Sequence, residues 1–85
     1  MDRETVLVEL KNVLAPYTEN KEMLEGINDD TDLIKDLKIN SANLVDIIID
    51  AESKYNIEID FESAAEMYKV GNCIDVIMKK ANQSA

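Results

Sequence analysis

From Leu44 to Tyr55 the apolar residues return at helical spacing. With Leu44 at zero and about 100° per residue, Leu44, Ile47, Ile48, Ala51 and Tyr55 fall on one narrow face. That face has to be covered by other elements, and the rest of the chain offers helices to cover it. Val6, Leu10, Val13 and Leu14, widened by Leu7, form a second stripe. Cys73, Ile74, Ile77 and Met78 form a third, with Val70 entering the core just before it. The one alternating stretch, Ile57-Glu58-Ile59, is too short for a strand and has no partner. It reads as an extended connector with Ile59 tucked inward. The expected architecture is all-α: a small four-helix bundle of three main helices and one short one.

Local signals set the boundaries. Asp2 can cap a first helix over about residues 3–15, and Pro16 stops it because it has no N–H to donate. A polar connection follows over residues 16–40, with a short turn at Lys21 to Glu25 capped by Asn20. Leu33, Ile34, Leu37 and Ile39 are apolar islands expected to pin this connection to the core. The second main helix is expected over about 41–55, the short one over 61–67 capped by Asp60, and the last over 71–81, with residues 82–85 frayed. Eighty-five residues are expected to form one domain, 1–85, near the size at which a single core just suffices. With one Phe and three Tyr the core must be aliphatic.

The chain has no His and one Cys, which removes most catalytic chemistry. A Ser or Cys nucleophile needs a base, usually His, and zinc sites want Cys and His clusters. The acidic run Asn28-Asp29-Asp30-Thr31-Asp32 fails as a calcium loop. Started at Asp30, it puts Lys35 where Gly is needed and Ser41 where Glu is needed. No glycine-rich phosphate loop is possible with only Gly26 and Gly71. No catalytic residue and no metal ligand is therefore expected. The net charge of −9 disfavours nucleic acid and anionic membrane, and suits either basic protein partners or plain solubility. An unpaired Cys73, no signal-like start and no long apolar run point to a cytoplasmic location and no membrane span.

Ser41 remains. It stands where the polar connection turns into the second helix, and its plainest role is to help start that helix, with Asn40 or Ser41 itself as cap. Two features favour a second role, as an attachment point. A phosphodiester there would meet the free N–H groups of a helix start. The same helix also carries surplus apolar residues, Ala42, Val45 and Ile49, beside the outward acids Asp46 and Asp50, which suits docking. Val45 could equally meet another helix, and less readily Ile49 and Ala42.

At these residues the sequence resembles the acyl carrier protein family, whose signature is Asp-Leu-Gly-x-Asp-Ser-Leu. The matching stretch is Asp36-Leu37-Lys38-Ile39-Asn40-Ser41-Ala42, and the likeness runs on through Val45-Asp46 and Glu52. Tyr55-Asn56-Ile57-Glu58-Ile59 is similar to the family's Phe-x-x-Glu-Ile, and Ala64, Met67, Val70, Cys73 and Ile77 continue it. The resemblance implies that Ser41 carries 4′-phosphopantetheine, added by a phosphopantetheinyl transferase, and that acyl intermediates ride on it as thioesters. It implies a docking surface of Asn40, Ala42, Val45, Asp46, Ile49, Asp50 and Glu52 for acyl-transferring or ketosynthase-type enzymes with basic surfaces. It also implies an acyl pocket at Leu33, Ile34, Val45, Ile48, Ile59, Ala64 and Met67. A monomer is expected. Asn40, Ala42 and Lys38 replace the family's Asp, Leu and Gly, which points to a specialised carrier in fatty-acid, polyketide or related biosynthesis. The alternative is an unmodified helical interaction module that kept the fold.

Overall fold

Asp2 starts the first helix, α1 (Arg3–Leu14), by accepting the Thr5 amide at 2.8 Å. In this computed structural model, which describes residues 2–83, that bond also lowers the Asp2 carboxyl below its usual range. Four more helices follow: α2 (Lys21–Glu25), α3 (Leu44–Tyr55), α4 (Phe61–Ala65) and α5 (Val70–Gln83), with a 3₁₀ turn at Ser41–Asn43 leading into α3. The core lies where α1, α3 and α5 meet. Val6, Leu10 and Leu14 from α1, Ile47 and Ala51 from α3, and Val70, Cys73, Ile74 and Ile77 from α5 are buried there. Val13, Leu44, Ile48, Tyr55 and Met78 flank it, half-buried. Tyr55 ties α3 to α1 by donating to Glu9 at 2.9 Å; its burial and then Glu9 raise the phenol well above its ordinary pKa. Burial pushes the Cys73 thiol up to about 12, so it stays protonated and inert.

The first helix ends at Leu14, one residue short of the expectation, Asp60 stands before α4 without a side-chain cap bond, and the other helix bounds differ in four places. Residues 41–43 wind as a 3₁₀ turn rather than a first α turn. The α4 helix stops at Ala65 because Glu66 and Met67 donate back three residues, to Ser63 and Ala64, turning Met67 into the core. The α5 helix begins at Val70, since Cys73 already donates to Lys69, and it continues past half-buried Ala81 to Gln83. Asn82 and Gln83 are thus helical, while Ser84 and Ala85, the rest of the expected frayed tail, lie outside the described residues. In the connector, Ile57 is the residue turned inward, and Ile59 is only half-buried.

The long connection is ordered because it is stitched to the core from both sides. Leu33, Leu37 and Ile39 are buried as expected, but Ile34 is 37% exposed. The reason is local: Asp32 accepts the amides of both Ile34 and Lys35 at 2.9 Å, and this tight turn points residue 34 outward. The amide of Lys35, helped by that of Ile34, also lowers the Asp32 carboxyl. Within the acidic run, the Asn28, Thr31 and Asp32 side chains bond amides of their own loop, while the Asp29 carboxylate pairs with Arg3 at 3.0 Å. Leu33 donates to Tyr68, Val70 to Thr31 and Gly71 to Asp29, at 2.9–3.0 Å, and Asp32 and Lys69 form an isolated antiparallel bridge.

Gly71 makes this seam possible. A Cβ there would sit 2.9 Å from the Asp29 carbonyl oxygen and 2.9 Å from its Cβ. The obstacle is backbone, so it cannot swing aside. Gly71→Ala is expected to destabilise the protein by ~1–3 kcal/mol, in the range of an overpacked core. Thermal melting of the variant against wild type checks this, and an unchanged midpoint would mean that the seam is slack.

Candidate functional site

Ser41 is exposed at the first position of the 3₁₀ turn. Its neighbour supplies the cap: the Asn40 side chain accepts the Ala42 amide at 2.9 Å, and the Asn40 carbonyl accepts the Asn43 amide at 2.8 Å. The Ser41 hydroxyl makes no hydrogen bond to any described residue. It is left chemically idle by the fold. Two of the amides expected to be free for an anion, those of Ala42 and Asn43, are already satisfied by Asn40. The turn is a display point for the serine more than a cradle for charge.

The segment that holds Ser41 is anchored at Leu37. Its side chain is fully buried, and its carbonyl accepts the Thr18 hydroxyl and the Glu19 and Asn20 amides. Asn20 also reaches the Asp36 carbonyl from its side chain at 3.1 Å. Ile39 is buried and donates to Leu33 at 3.1 Å. Between these two anchors Lys38 turns through the left-handed region, with φ 56°. The only other described residue with positive φ outside glycine is Asn56, at the end of α3, where Asn is well suited.

Downstream, Val45 is 61% and Ile49 53% exposed, and Ala42 is exposed. Among the described residues no helix covers them, so the reading in which Val45, Ile49 or Ala42 meets another helix is overturned. Asp46 and Asp50 are exposed beside them. The acids are not equivalent. Asp46 makes no side-chain hydrogen bond or ion pair with a described residue, whereas Asp50 accepts the Tyr17 hydroxyl at 2.7 Å. That bond to Asp50 raises the Tyr17 phenol. Glu52 is half-buried and accepts the Ile59 amide at 2.8 Å, so this carboxylate braces the connector after α3.

The residues expected to shelter an acyl chain divide by depth. Leu33 and Met67 are buried, Ile48, Ile59 and Ala64 half-buried, and Ile34 and Val45 exposed. At Ile59 the surface dips into a depression of about 360 Å³ walled by Glu52, Glu58, Asp60 and Lys80, the last two paired at 3.0 Å. Two residues near the site were missed in the sequence. Phe61 is 89% exposed at the start of α4, although its spacing to Ala64 and Ala65 suggests an inward face. Tyr17 bonds Asp50 across 33 positions of sequence, a pairing for which the chain offers no local signal.

No family model matches the chain. Curated relatives and solved structures do. It is 32% identical over 77 residues to the acyl carrier protein of Coprothermobacter proteolyticus, covering 91% of this chain and 92% of that one. It is 27% identical over 78 residues to the acyl carrier protein of Thermotoga maritima, covering 92% and 94%. Among solved structures, the crystal structure of the Thermotoga maritima acyl carrier protein superposes with a TM-score of 0.81 at 20% identity, over 100% of this chain and 96% of that one. The acyl carrier protein of Enterococcus faecalis superposes with a TM-score of 0.76 at 22% identity, over 94% and 99%. The structural likeness speaks for the helical fold, and the sequence likeness, sustained over nine-tenths of both chains, shows that this chain belongs to the acyl carrier protein family.

Proposed function

We propose that the protein is a carrier loaded at Ser41 with a 4′-phosphopantetheine arm by a phosphopantetheinyl transferase. The observation that carries this reading is the idle hydroxyl. Ser41 is exposed and unbonded while Asn40 does the capping, so the serine is dispensable to the fold and open to an incoming enzyme. The site fits the group on the same ground: a phosphodiester on Ser41 Oγ displaces no existing hydrogen bond and buries no charge. When bound, the arm supplies a thiol on which acyl groups are held as thioesters. The chain's own part is to present that attachment point on a rigid turn and to be recognised. Ala42, Val45, Ile49 and the carboxylates of Asp46 and Asp50 form the face offered to partners with basic surfaces, and Asn40 flanks it. Leu33, Met67, Ile48, Ile59 and Ala64 line the interior that shelters the cargo. The chain works as one domain, as a monomer, in the cytoplasm, in fatty-acid, polyketide or related biosynthesis.

Intact mass after exposure to a broad transferase and coenzyme A tests the assignment. A gain of one arm, roughly 340 Da from its formula, is expected. No gain with any transferase would leave an unmodified interaction module.

The two acids make separable predictions. Asp46→Lys is expected to change stability by no more than ~0.5 kcal/mol, because the carboxylate has no partner to lose. Association with a basic partner should slow several-fold and become less sensitive to salt. Asp50→Lys should slow association too, but it also removes the acceptor for Tyr17 and should lower the melting temperature. A salt series of association rates beside thermal melts checks both. Unchanged rates for Asp46→Lys would assign the acidity of α3 to solubility.

A further inference from the structure

Lys38 is the residue whose conformation the fold has to force. A left-handed φ of 56° is unfavourable for an L-residue other than glycine, and a side chain held there at a functional turn is grounds for asking what that side chain does. The backbone on both sides is tied: the Leu37 carbonyl takes three donors and the Ile39 amide goes to Leu33. The strain is therefore sustained by its neighbours rather than relaxed. The Lys38 ammonium is exposed and makes no hydrogen bond or ion pair with a described residue. The nearest acid in sequence, Asp36, is occupied by the Asp32 amide at 2.8 Å. Other lysines of the described residues, Lys54 and Lys79 among them, are likewise without a hydrogen bond or ion pair; what sets Lys38 apart is its place three positions before Ser41 in a chain with 18 acidic and 9 basic residues.

We propose that the Lys38 ammonium is the counter-ion for the phosphodiester attached at Ser41, an inference that rests on the modification proposed above. Reach permits it. Three residues span at most ~10–11 Å even when fully extended, about what a lysine side chain and a phosphorylated serine cover together. Need favours it as well. The Ala42 and Asn43 amides, which would otherwise greet an anion at this turn, are held by Asn40, and Asp46 stands just beyond them on α3. A phosphodiester placed there in a chain of net charge −9 gains from a cation held close by on the same turn. A glycine would relieve the backbone strain and remove that cation, so the lysine exchanges conformational ease for charge.

The test is a thermodynamic cycle on the whole protein, unloaded and loaded, in wild type, Lys38→Gln and Lys38→Arg. Lys38→Gln keeps the strained backbone and loses the charge, and Lys38→Arg keeps both. Loading is first verified by mass. In low salt the rise in melting temperature on loading should be ~2–4 °C larger in wild type than in Lys38→Gln, as for an exposed ion pair in a chain of this size. Lys38→Arg should match wild type, and the difference should shrink in high salt. The phosphorus NMR resonance of the loaded protein should shift in Lys38→Gln and not in Lys38→Arg. If the arm's mass never appears, the modification reading is overturned and this inference with it. If the arm is present but loading changes stability and the phosphorus resonance equally in all three proteins, the counter-ion role alone is overturned.

Discussion

Ser41→Ala is expected to abolish attachment of the arm entirely and to leave the fold almost unchanged. The two halves of this expectation have different causes. Attachment needs an exposed hydroxyl on a turn that a transferase can enter. Among the described residues the other serines are Ser53, on the outward side of α3, and Ser63, half-buried in α4. Neither stands at the opening of a main helix. The fold should be indifferent because the cap bond at this turn belongs to Asn40, which accepts the Ala42 amide, and the Ser41 hydroxyl makes no bond that alanine would lose. Stability should therefore stay within ~0.5 kcal/mol of wild type. Intact mass after exposure to transferase and coenzyme A reads the first half, and thermal melting reads the second. Mass gain that persisted in the variant would move the site elsewhere. A large fall in stability would mean that the serine is structural after all.

Leu37→Ala is expected to be the most damaging single truncation at the approach to the site. Its side chain is fully buried, and removing it leaves a cavity as well as losing apolar burial, together worth ~2–5 kcal/mol. A chain of this length has only about 4–13 kcal/mol in hand, so the loss is a large share of its stability. The melting temperature should drop by roughly 10–30 °C. The damage should spread to function, because the same residue's carbonyl gathers the Thr18 hydroxyl and the Glu19 and Asn20 amides, and so holds the segment that leads into Ser41. Leu37→Met, which conserves volume, should cost less than ~1.5 kcal/mol and keep attachment. Comparing the two by thermal melting and by rate of loading separates the loss of packing volume from a need for the leucine side chain itself. If Leu37→Ala melted within two or three degrees of wild type, the connection would be only loosely attached to the core.

Periodicity made the main helices legible. Every residue on the α3 stripe, from Leu44 to Tyr55, is buried or half-buried, and the α1 stripe ends up in the core in the same way. A side chain's angular position on a helix follows from its number alone, and a stripe with one wet and one dry side leaves little choice of orientation. The caps Asp2 and Asn20 were legible for a similar reason, since a cap acts on amides only two or three residues away. Ser41 stood out because the chain lacks the groups that would have given it another chemistry.

The rest depends on distances between segments remote in sequence. Nothing local says that Glu52 will brace the Ile59 amide, that Tyr17 will take Asp50, or that Gly71 must be bare because Asp29 lies against it. Ile34 was expected inside with Leu33, Leu37 and Ile39 because all four are apolar. Yet the turn built by Asp32 points it out, and apolar character alone does not report direction in a loop without a period. Lys38 shows the same division. Its charge and its place before Ser41 are read from the chain, but its left-handed backbone arises only because Leu37 and Ile39 are each anchored to a different part of the core. Helices and the attachment point follow from short-range chemistry. The working details of the surface around Ser41 follow from which remote hydrogen bonds the packed helices bring into reach.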